Sequence, residues 1–142
     1  IFKTNTDISL DKIQIIQEVP SSDICILSSG CVLDSVLEAT KRLHNLGKSV
    51  SVLNVHTIKP FDKETLIKFA KNTNTVVTIE DHSIIGGLGS TVCEILSENL
   101  PKKVLRIGLN DEFPESGLPA DLYKKYKLDS TGIVERIIND IS

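Results

Sequence analysis

TVVTIEDHSIIGGLGSTVCEIL, residues 75–96, is the stretch that decides the fold of this chain. Its β-branched start predicts a buried strand over Thr75–Glu80, and an acidic, histidine-bearing turn follows at Glu80–His82. A glycine-rich loop comes next, and the apolar spacing after it predicts an amphipathic helix. A strand that leads through glycines into a helix is how α/β proteins build anion sites and partner surfaces.

The segments on either side of this stretch repeat the same strand-then-helix pattern. The unbroken apolar run Ile24–Leu27 predicts a central strand covered on both faces. Further strands are predicted at 13–18, 50–55 and 104–107, the first of them half-buried at an edge. Helices are predicted between the strands and at the C-terminal end, from apolar residues that recur with the helical period. Their predicted caps are Gly47, Asp62, and Asp129 or Ser130.

The order of these elements predicts an α/β fold with a mostly parallel sheet and helices on both faces. The short link at 20–22 predicts that the first strand runs antiparallel to its successor. Residues 1–12 are polar and aperiodic, so we expect a linker from an upstream domain, with the folded domain over 13–142. The chain has 142 residues and no methionine, which suggests a processed protein or a part of a longer one.

Composition narrows the class of protein. The net charge of −3 gives no support for nucleic acid as a partner, and there is no apolar run of membrane-spanning length. Three cysteines without a CxxC pair predict free thiols rather than a disulfide framework or a zinc site. We therefore expect a cytoplasmic protein with no membrane and no nucleic-acid partner.

One edge of the predicted sheet collects the polar candidates. Loops after parallel strands meet at the carboxyl edge, which would gather 28–30, 56–57, 80–89, and 110–115. We take the segment after the third parallel strand as a candidate interface or anion site, formed by Glu80, Asp81, His82, Ser83, Gly86, Gly87 and Gly89. The loop lacks the spacing of a Rossmann fingerprint or a P-loop, so anion binding and interface geometry both stay open.

His82 beside two carboxylates could act as a general base. Neighbouring side chains on a continuing strand are expected to diverge, so a hydrogen-bonded structural turn is favoured over catalysis. His56 with Asp81 and His82 lacks the spacing of a metal site. We predict no catalytic residue and no metal ligand in this chain.

Four segments, in order, resemble the C-terminal domain of transketolase-like, thiamine-diphosphate-dependent enzymes. They are SSGCVLDSVLEATKRL, SVLNVHTIKPFDKETL, IEDHSIIGGLGSTVCEIL and RIGLNDEFPESGLPADLYKKYKLD. The resemblance extends from about Ile13 to Ile141. Glu115-Ser116-Gly117 looks like the ESG of transketolases, where 1-deoxyxylulose-5-phosphate synthases show His-Gly. Tyr126–Asp129 resembles a YGLD segment with Lys127 in place of glycine, which argues against the β subunits of 2-oxoacid dehydrogenases.

The resemblance implies a three-layer α/β/α domain with a five-stranded sheet that has one antiparallel strand. It also implies a dimeric parent enzyme of the pentose phosphate pathway that transfers a two-carbon ketol unit between sugar phosphates. Thiamine diphosphate and Mg²⁺ would bind between pyrimidine- and diphosphate-binding domains, which this chain lacks. No cofactor is therefore expected in this domain, and the family's catalytic residues have no positions here.

The function expected from this resemblance is that of a structural and assembly domain, with a possible regulatory role, that is not catalytic alone. Two alternatives stay open. One is the C-terminal domain of a 1-deoxyxylulose-5-phosphate synthase. The other is a free-standing phosphate- or nucleotide-binding module that uses the same sheet edge.

Overall fold

Five strands and five α-helices make up the part of the chain that the computed structural model describes, residues 9–141. The strands are β1 (Gln14–Gln17), β2 (Ser22–Ser29), β3 (Val50–Asn54), β4 (Thr73–Ser83) and β5 (Val104–Leu109). The helices are α1 (Leu33–Asn45), α2 (Lys63–Lys71), α3 (Leu88–Asn99), α4 (Pro119–Lys125) and α5 (Ser130–Ile141), and a 3₁₀ turn at Gly30–Val32 precedes α1. None of these helices is long and apolar enough to cross a membrane.

The five strands form one sheet in the order β1-β3-β2-β4-β5. All neighbours are parallel except β1 and β3, which are antiparallel. The predicted mostly parallel sheet with an antiparallel first strand is confirmed. Strand β1 pairs with β3 rather than with β2, the next strand in sequence. Because β2 is buried from Ile24 to Ser28, it needs a strand on each side. Strand β1 is half-exposed and suits an edge of the sheet.

Two apolar cores lie on opposite faces of the sheet and make the fold three-layered. One core packs α1 and α5 against the strands, and it includes Ile24, Ile26, Val36, Leu43, Ile133 and Ile137. The other core packs α2 and α3 against the reverse face, and it includes Cys25, Leu27, Leu66, Phe69, Val92 and Leu96. Side chains alternate between the two cores along β2, as the pleat of a strand requires.

The predicted helix ends are largely confirmed. The Asp62 carboxylate accepts the Thr65 N–H at 3.2 Å at the start of α2 and also the Ile13 N–H at 3.1 Å. Burial opposes ionisation of Asp62, but the hydrogen bonds from Thr65 and Ile13 outweigh it and lower its pKa. Asp129 accepts the Gly132 N–H at 3.1 Å at the start of α5. Gly47 follows α1 with a φ of +76°, the left-handed conformation expected of a C-terminal cap.

One expectation at the end of an element needs correction. Strand β4 continues to Ser83, three residues beyond its predicted end, because Glu80 pairs with Ser29 and Ser83 pairs with Leu109. The predicted turn at Glu80–His82 is therefore wrong, and these residues lie in extended backbone. Most of the predicted linker falls outside the described residues, and 9–12 form an exposed turn.

Candidate functional site

The crevice between the carboxyl ends of β2 and β4 is the place where an open α/β sheet usually binds a ligand. From β2 the chain continues to β3 on one side of the sheet, and from β4 it continues to β5 on the other side. Such a switch point leaves room between the two loops, and the N-termini of the following helices supply backbone N–H groups for an anion. In this chain those helices are α1, preceded by its 3₁₀ turn, and α3.

Glu80 occupies the N-terminus of α3. Its side chain is completely buried, and its two carboxylate oxygens accept the backbone N–H groups of Leu88 at 2.8 Å and Gly89 at 2.9 Å. Backbone N–H groups in the first turn of a helix have no partner within that helix and favour negative charge. The Glu80 carboxylate therefore takes the place that a phosphate or carboxylate ligand would occupy.

Asp81 has the corresponding role on the opposite face of the sheet. Its Oδ2 accepts the Cys31 N–H and the Tyr123 hydroxyl, each at 3.2 Å, next to Gly30, whose φ is +83°. Burial, together with the charge and hydrogen bond of Asp81, raises the pKa of Tyr123 to about 12, so Tyr123 stays protonated as a donor. Asp81, on β4, thus accepts a backbone N–H at the start of the 3₁₀ turn that leads into α1.

His82 lies on the same face of β4 as Glu80. Its Nδ1 is 2.9 Å from the Ser83 carbonyl oxygen, which can only accept, and its Nε2 is 3.1 Å from Glu80 Oε2. Both ring nitrogens therefore face acceptors, so neither is directed at a substrate as a general base. The side chains of Glu80, Asp81 and His82 were expected to diverge, and only Asp81 points away from the other two. Glu80 and His82 share a face because they are two residues apart on a strand.

The glycines after β4 serve the internal geometry of this corner. Gly86 has a φ of +79°, and its N–H is bonded to Ser90 Oγ at 2.9 Å. Ser83 Oγ accepts the Ile85 N–H at 3.2 Å and so fastens the start of the loop. Gly87 and Gly89 are buried, and a Cβ on Gly89 would lie 2.8 Å from Thr78 Oγ1. These two glycines allow α3 to approach β4 closely.

Replacing Gly87 with valine is expected to lower the free energy of unfolding by about 1–3 kcal/mol, as overpacking does. A Cβ at this position would collide with the Glu80 carboxylate and the His82 ring, and Glu80 is held by its two backbone bonds. Urea denaturation of the variant measures the loss, with Ile85→Val in the same loop as the control. Equal midpoints for the two variants would contradict this packing role.

Other predicted edge residues do not join this cluster. His56 follows β3, which β2 separates from β4, and its Nδ1 lies 3.0 Å from the neighbouring Thr57 hydroxyl. Residues 110–115 form an exposed loop after β5. Within 9–141 no three His, Cys, Asp or Glu side chains lie close enough together to hold a metal ion. Burial raises the pKa of the Cys25 thiol to about 12, so that thiol is not a nucleophile.

Sequence reasoning missed the partners that come from distant segments. Cys31 and Tyr123 bind Asp81 from 50 and 42 residues away, and no local pattern links them. The guanidinium of Arg106 donates to the Ile84 carbonyl at 3.0 Å and holds the loop after β4 against β5. Extending the predicted strand by two residues would have placed Glu80 and His82 on one face.

Comparison with known families agrees with this architecture. The family model described as "Transketolase, C-terminal domain" matches residues 11–133. The chain belongs to this family. A 6-deoxy-6-sulfo-D-fructose transketolase subunit of Clostridium sp. (strain MSTE9) is 41% identical over 92% of the chain. A putative transketolase C-terminal section of Methanocaldococcus jannaschii is 44% identical over 87% of the chain. A 1-deoxy-D-xylulose-5-phosphate synthase of Syntrophotalea carbinolica is 42% identical over 83% of the chain.

Solved structures show the same fold for this transketolase-family domain. A split-gene transketolase, in an inactive β4 tetramer, matches 97% of the chain with a TM-score of 0.89 and 36% identity. The transketolase of Campylobacter jejuni matches 98% of the chain with a TM-score of 0.71 at 16% identity, a likeness of fold alone.

The chain spans only part of each of these proteins. It covers 40% and 38% of the Clostridium and Methanocaldococcus relatives, 19% of the synthase, and 45% of the split-gene chain. The domain is therefore one part of larger transketolase-like proteins, which supply further domains on the same or another polypeptide.

Proposed function

We propose that the chain is the C-terminal assembly domain of a transketolase that transfers a two-carbon ketol unit between sugar phosphates, and that it does not catalyse this reaction alone. The observation that carries the proposal is the occupied crevice, where Glu80 and Asp81 satisfy both helix starts. A ligand site at this switch point would need the N–H groups that these carboxylates already hold. A role in packing and assembly remains for the domain.

The cofactors of the parent enzyme do not fit the residues of this domain. A diphosphate cofactor with Mg²⁺ would need carboxylate or amide ligands beside free backbone N–H groups. The described chain has no group of metal-ligating side chains, and its switch-point N–H groups are bonded to Glu80 and Asp81. We assign the cofactors to the pyrimidine- and diphosphate-binding domains of a homodimeric cytoplasmic parent enzyme.

Exposed apolar side chains mark the surface that we assign to those partner domains. Ile85, Phe113 and Leu118, the carboxyl-edge patch, follow β4 and β5 and are 62%, 102% and 71% exposed. All three lie in loops at the carboxyl edge of the sheet, where large exposed apolar side chains are candidates for burial against another domain. The pyrimidine-binding domain is the occupant we propose, because the relatives of this chain are more than twice its length.

The carboxyl-edge patch determines which residue should be mutated to test assembly. Our sequence-based hypothesis placed a candidate interface or anion site within Glu80–Gly89, a segment that includes Gly87. That glycine packs inside the domain, so its replacement would disturb the fold and assembly together. Ile85, in the same loop, is exposed and separates the two effects.

Replacing Phe113 or Ile85 with aspartate is expected to weaken association with the partner domains at least about tenfold, which corresponds to about 1.4 kcal/mol. Leu46→Asp is the matched control, since Leu46 is 58% exposed after α1 at the opposite edge of the sheet. Sedimentation velocity with the complementary polypeptide measures association, and thermal melting checks each fold. An equal effect of all three variants would remove the patch from the interface.

The catalytic assignment is tested by activity with thiamine diphosphate and Mg²⁺. We expect no ketol transfer by the chain alone, and transfer from a ketose phosphate to an aldose phosphate when the missing domains are present. Formation of 1-deoxy-D-xylulose 5-phosphate instead would assign the parent to the synthase alternative. Turnover by the isolated chain would refute the assembly role, and no turnover in any combination would favour the free-standing binding module.

A further inference from the structure

A cleft between the end of β5 and the α4–α5 junction collects positive charge. Its volume is about 380 Å³, and its lining consists of Gly108, Asn110, Glu112, Lys125, Tyr126, Lys127 and Arg136. Three of these side chains are cations and one is a carboxylate. The cleft is distinct from the crevice between β2 and β4, so the charge has no part in capping α1 or α3.

Lys127 lies in the cleft at a backbone position that suits glycine. Its φ is +56°, a left-handed conformation that costs a residue with a Cβ free energy relative to glycine. Bonds from Lys127 N to the Lys124 carbonyl and from Leu128 N to the Tyr123 carbonyl hold the end of α4 in this conformation. Gly132 packs directly on the Lys127 backbone. The left-handed conformation is thus maintained at a residue whose side chain lines the cleft.

Arg136 brings a second cation on α5. Its Nη2 donates to the Arg106 carbonyl at 3.4 Å, a long bond that orients the guanidinium. The planar fork of an arginine has five N–H donors and matches the oxygen geometry of a phosphate group. Tyr126 adds a neutral donor, since its oxygen accepts the Glu115 N–H at 3.0 Å and its own hydroxyl proton can donate elsewhere.

Acidic groups near the cleft compete with an anion only weakly. Lys125 pairs with Glu115 at 2.6 Å and Lys127 pairs with Glu135 at 3.0 Å, and all four side chains are about half exposed or more. Exposed ion pairs of this kind contribute little to stability. A doubly charged anion between Lys125, Lys127 and Arg136 would replace these two exposed carboxylate partners, although Glu112 opposes it.

We propose that this cleft binds a phosphate group, with Lys127 and Arg136 as its principal ligands and Lys125 as a third cation. The group can belong to a phosphate monoester or to a diphosphate, since both present the same dianionic oxygens. The inference is independent of ketol transfer and of the carboxyl-edge patch.

Calorimetric titration of the full chain with inorganic phosphate at constant ionic strength tests the site. Pyrophosphate and ribose 5-phosphate form two further arms that distinguish diphosphate from monoester ligands. Lys127→Gly and Arg136→Gln are each expected to weaken phosphate binding about tenfold or more, while Lys63→Gln on α2, on the reverse face of the sheet, leaves it unchanged. The glycine variant gives a second readout, because it relieves the left-handed strain: its melting temperature should be no lower than that of the unmodified chain.

The outcomes separate clearly. Lost binding in both cleft variants, with the fold retained, supports the site. Absence of saturable binding by the unmodified chain, or equal binding by the Lys127→Gly and Lys63→Gln variants, overturns it. If Lys127→Gly also melts at a markedly lower temperature, the loss of binding in this variant reflects a role of Lys127 in the fold. The proposal then stands only if Arg136→Gln abolishes binding with its fold retained.

Discussion

Replacing Glu80 with alanine is expected to lower the free energy of unfolding by about 4 kcal/mol. The change leaves the N–H groups of Leu88 and Gly89 buried without an acceptor, and each such group costs about 1–3 kcal/mol. It also removes a negative charge from the N-terminus of α3, where that charge is favourable. Urea denaturation followed by circular dichroism measures the loss.

Glu94→Ala is the control for this prediction, because Glu94 is exposed on the same helix and its loss should change stability by about 0.5 kcal/mol or less. Glu80→Gln should fall between the two, since the amide keeps one acceptor oxygen but presents an NH₂ group to a backbone donor. If Glu80→Ala is no less stable than Glu94→Ala, the buried carboxylate does not hold the start of α3.

Replacing Gly132 with alanine is expected to cost about 3 kcal/mol, through overpacking. In an ordinary helix the same change stabilises by about 0.5–1 kcal/mol, so the sign itself is diagnostic. A Cβ on Gly132 would lie 2.5 Å from the Cα of Lys127 and 2.8 Å from its carbonyl carbon. Backbone atoms can give way only if the α4–α5 junction moves.

Gly117→Ala is the matched control, because Gly117 is exposed and its nearest contact is the movable end of the Leu122 side chain at 3.3 Å. Thermal melting of both variants measures the difference. A Gly132→Ala variant as stable as the control would mean that α5 can shift away from Lys127 at no cost.

Patterns among residues close together in sequence predicted most of the fold. The unbroken apolar run at Ile24–Leu27 predicted the buried centre of the sheet, and alternation at 13–18 predicted a half-buried edge strand. Asp62 and Asp129 were predictable as caps because an N-cap bonds to residues two or three further on. These features depend on residues close together in sequence, and sequence patterns report such contacts directly.

The neighbour of β1 could not be obtained in this way. A short link to β2 suggested a hairpin, and only the need of β2 for a strand on each side places β3 between them. The end of β4 could not be predicted from local sequence for a related reason. Glu80–Ser83 has the polar composition of a turn, but pairing with β2 and β5 keeps it extended.

The sequence analysis selected candidate site residues, but it did not predict their contacts. The polar stretch after Thr78 was selected as a candidate, yet Glu80 and Asp81 both cap helix starts, and Asp81 does so across 50 residues. Lys102 was missed for the same reason: its ammonium group donates to the Ala70 carbonyl at 2.6 Å and also to the Thr73 carbonyl, and so closes the end of α2 from the segment before β5. Only the folded chain brings these groups together.

Glu80 and Asp81 are consecutive residues on β4, so the register of this one strand determines the contacts of both outer helix layers. Glu80 fixes the start of α3 on one face, and Asp81 fixes the turn before α1 on the other. A slip of β4 by a single residue would turn each carboxylate toward the wrong layer, so both helix starts would be lost together. The two layers therefore depend on the same strand register, and the buried backbone amides of Leu88 and Gly89 should exchange with solvent only when the whole domain opens.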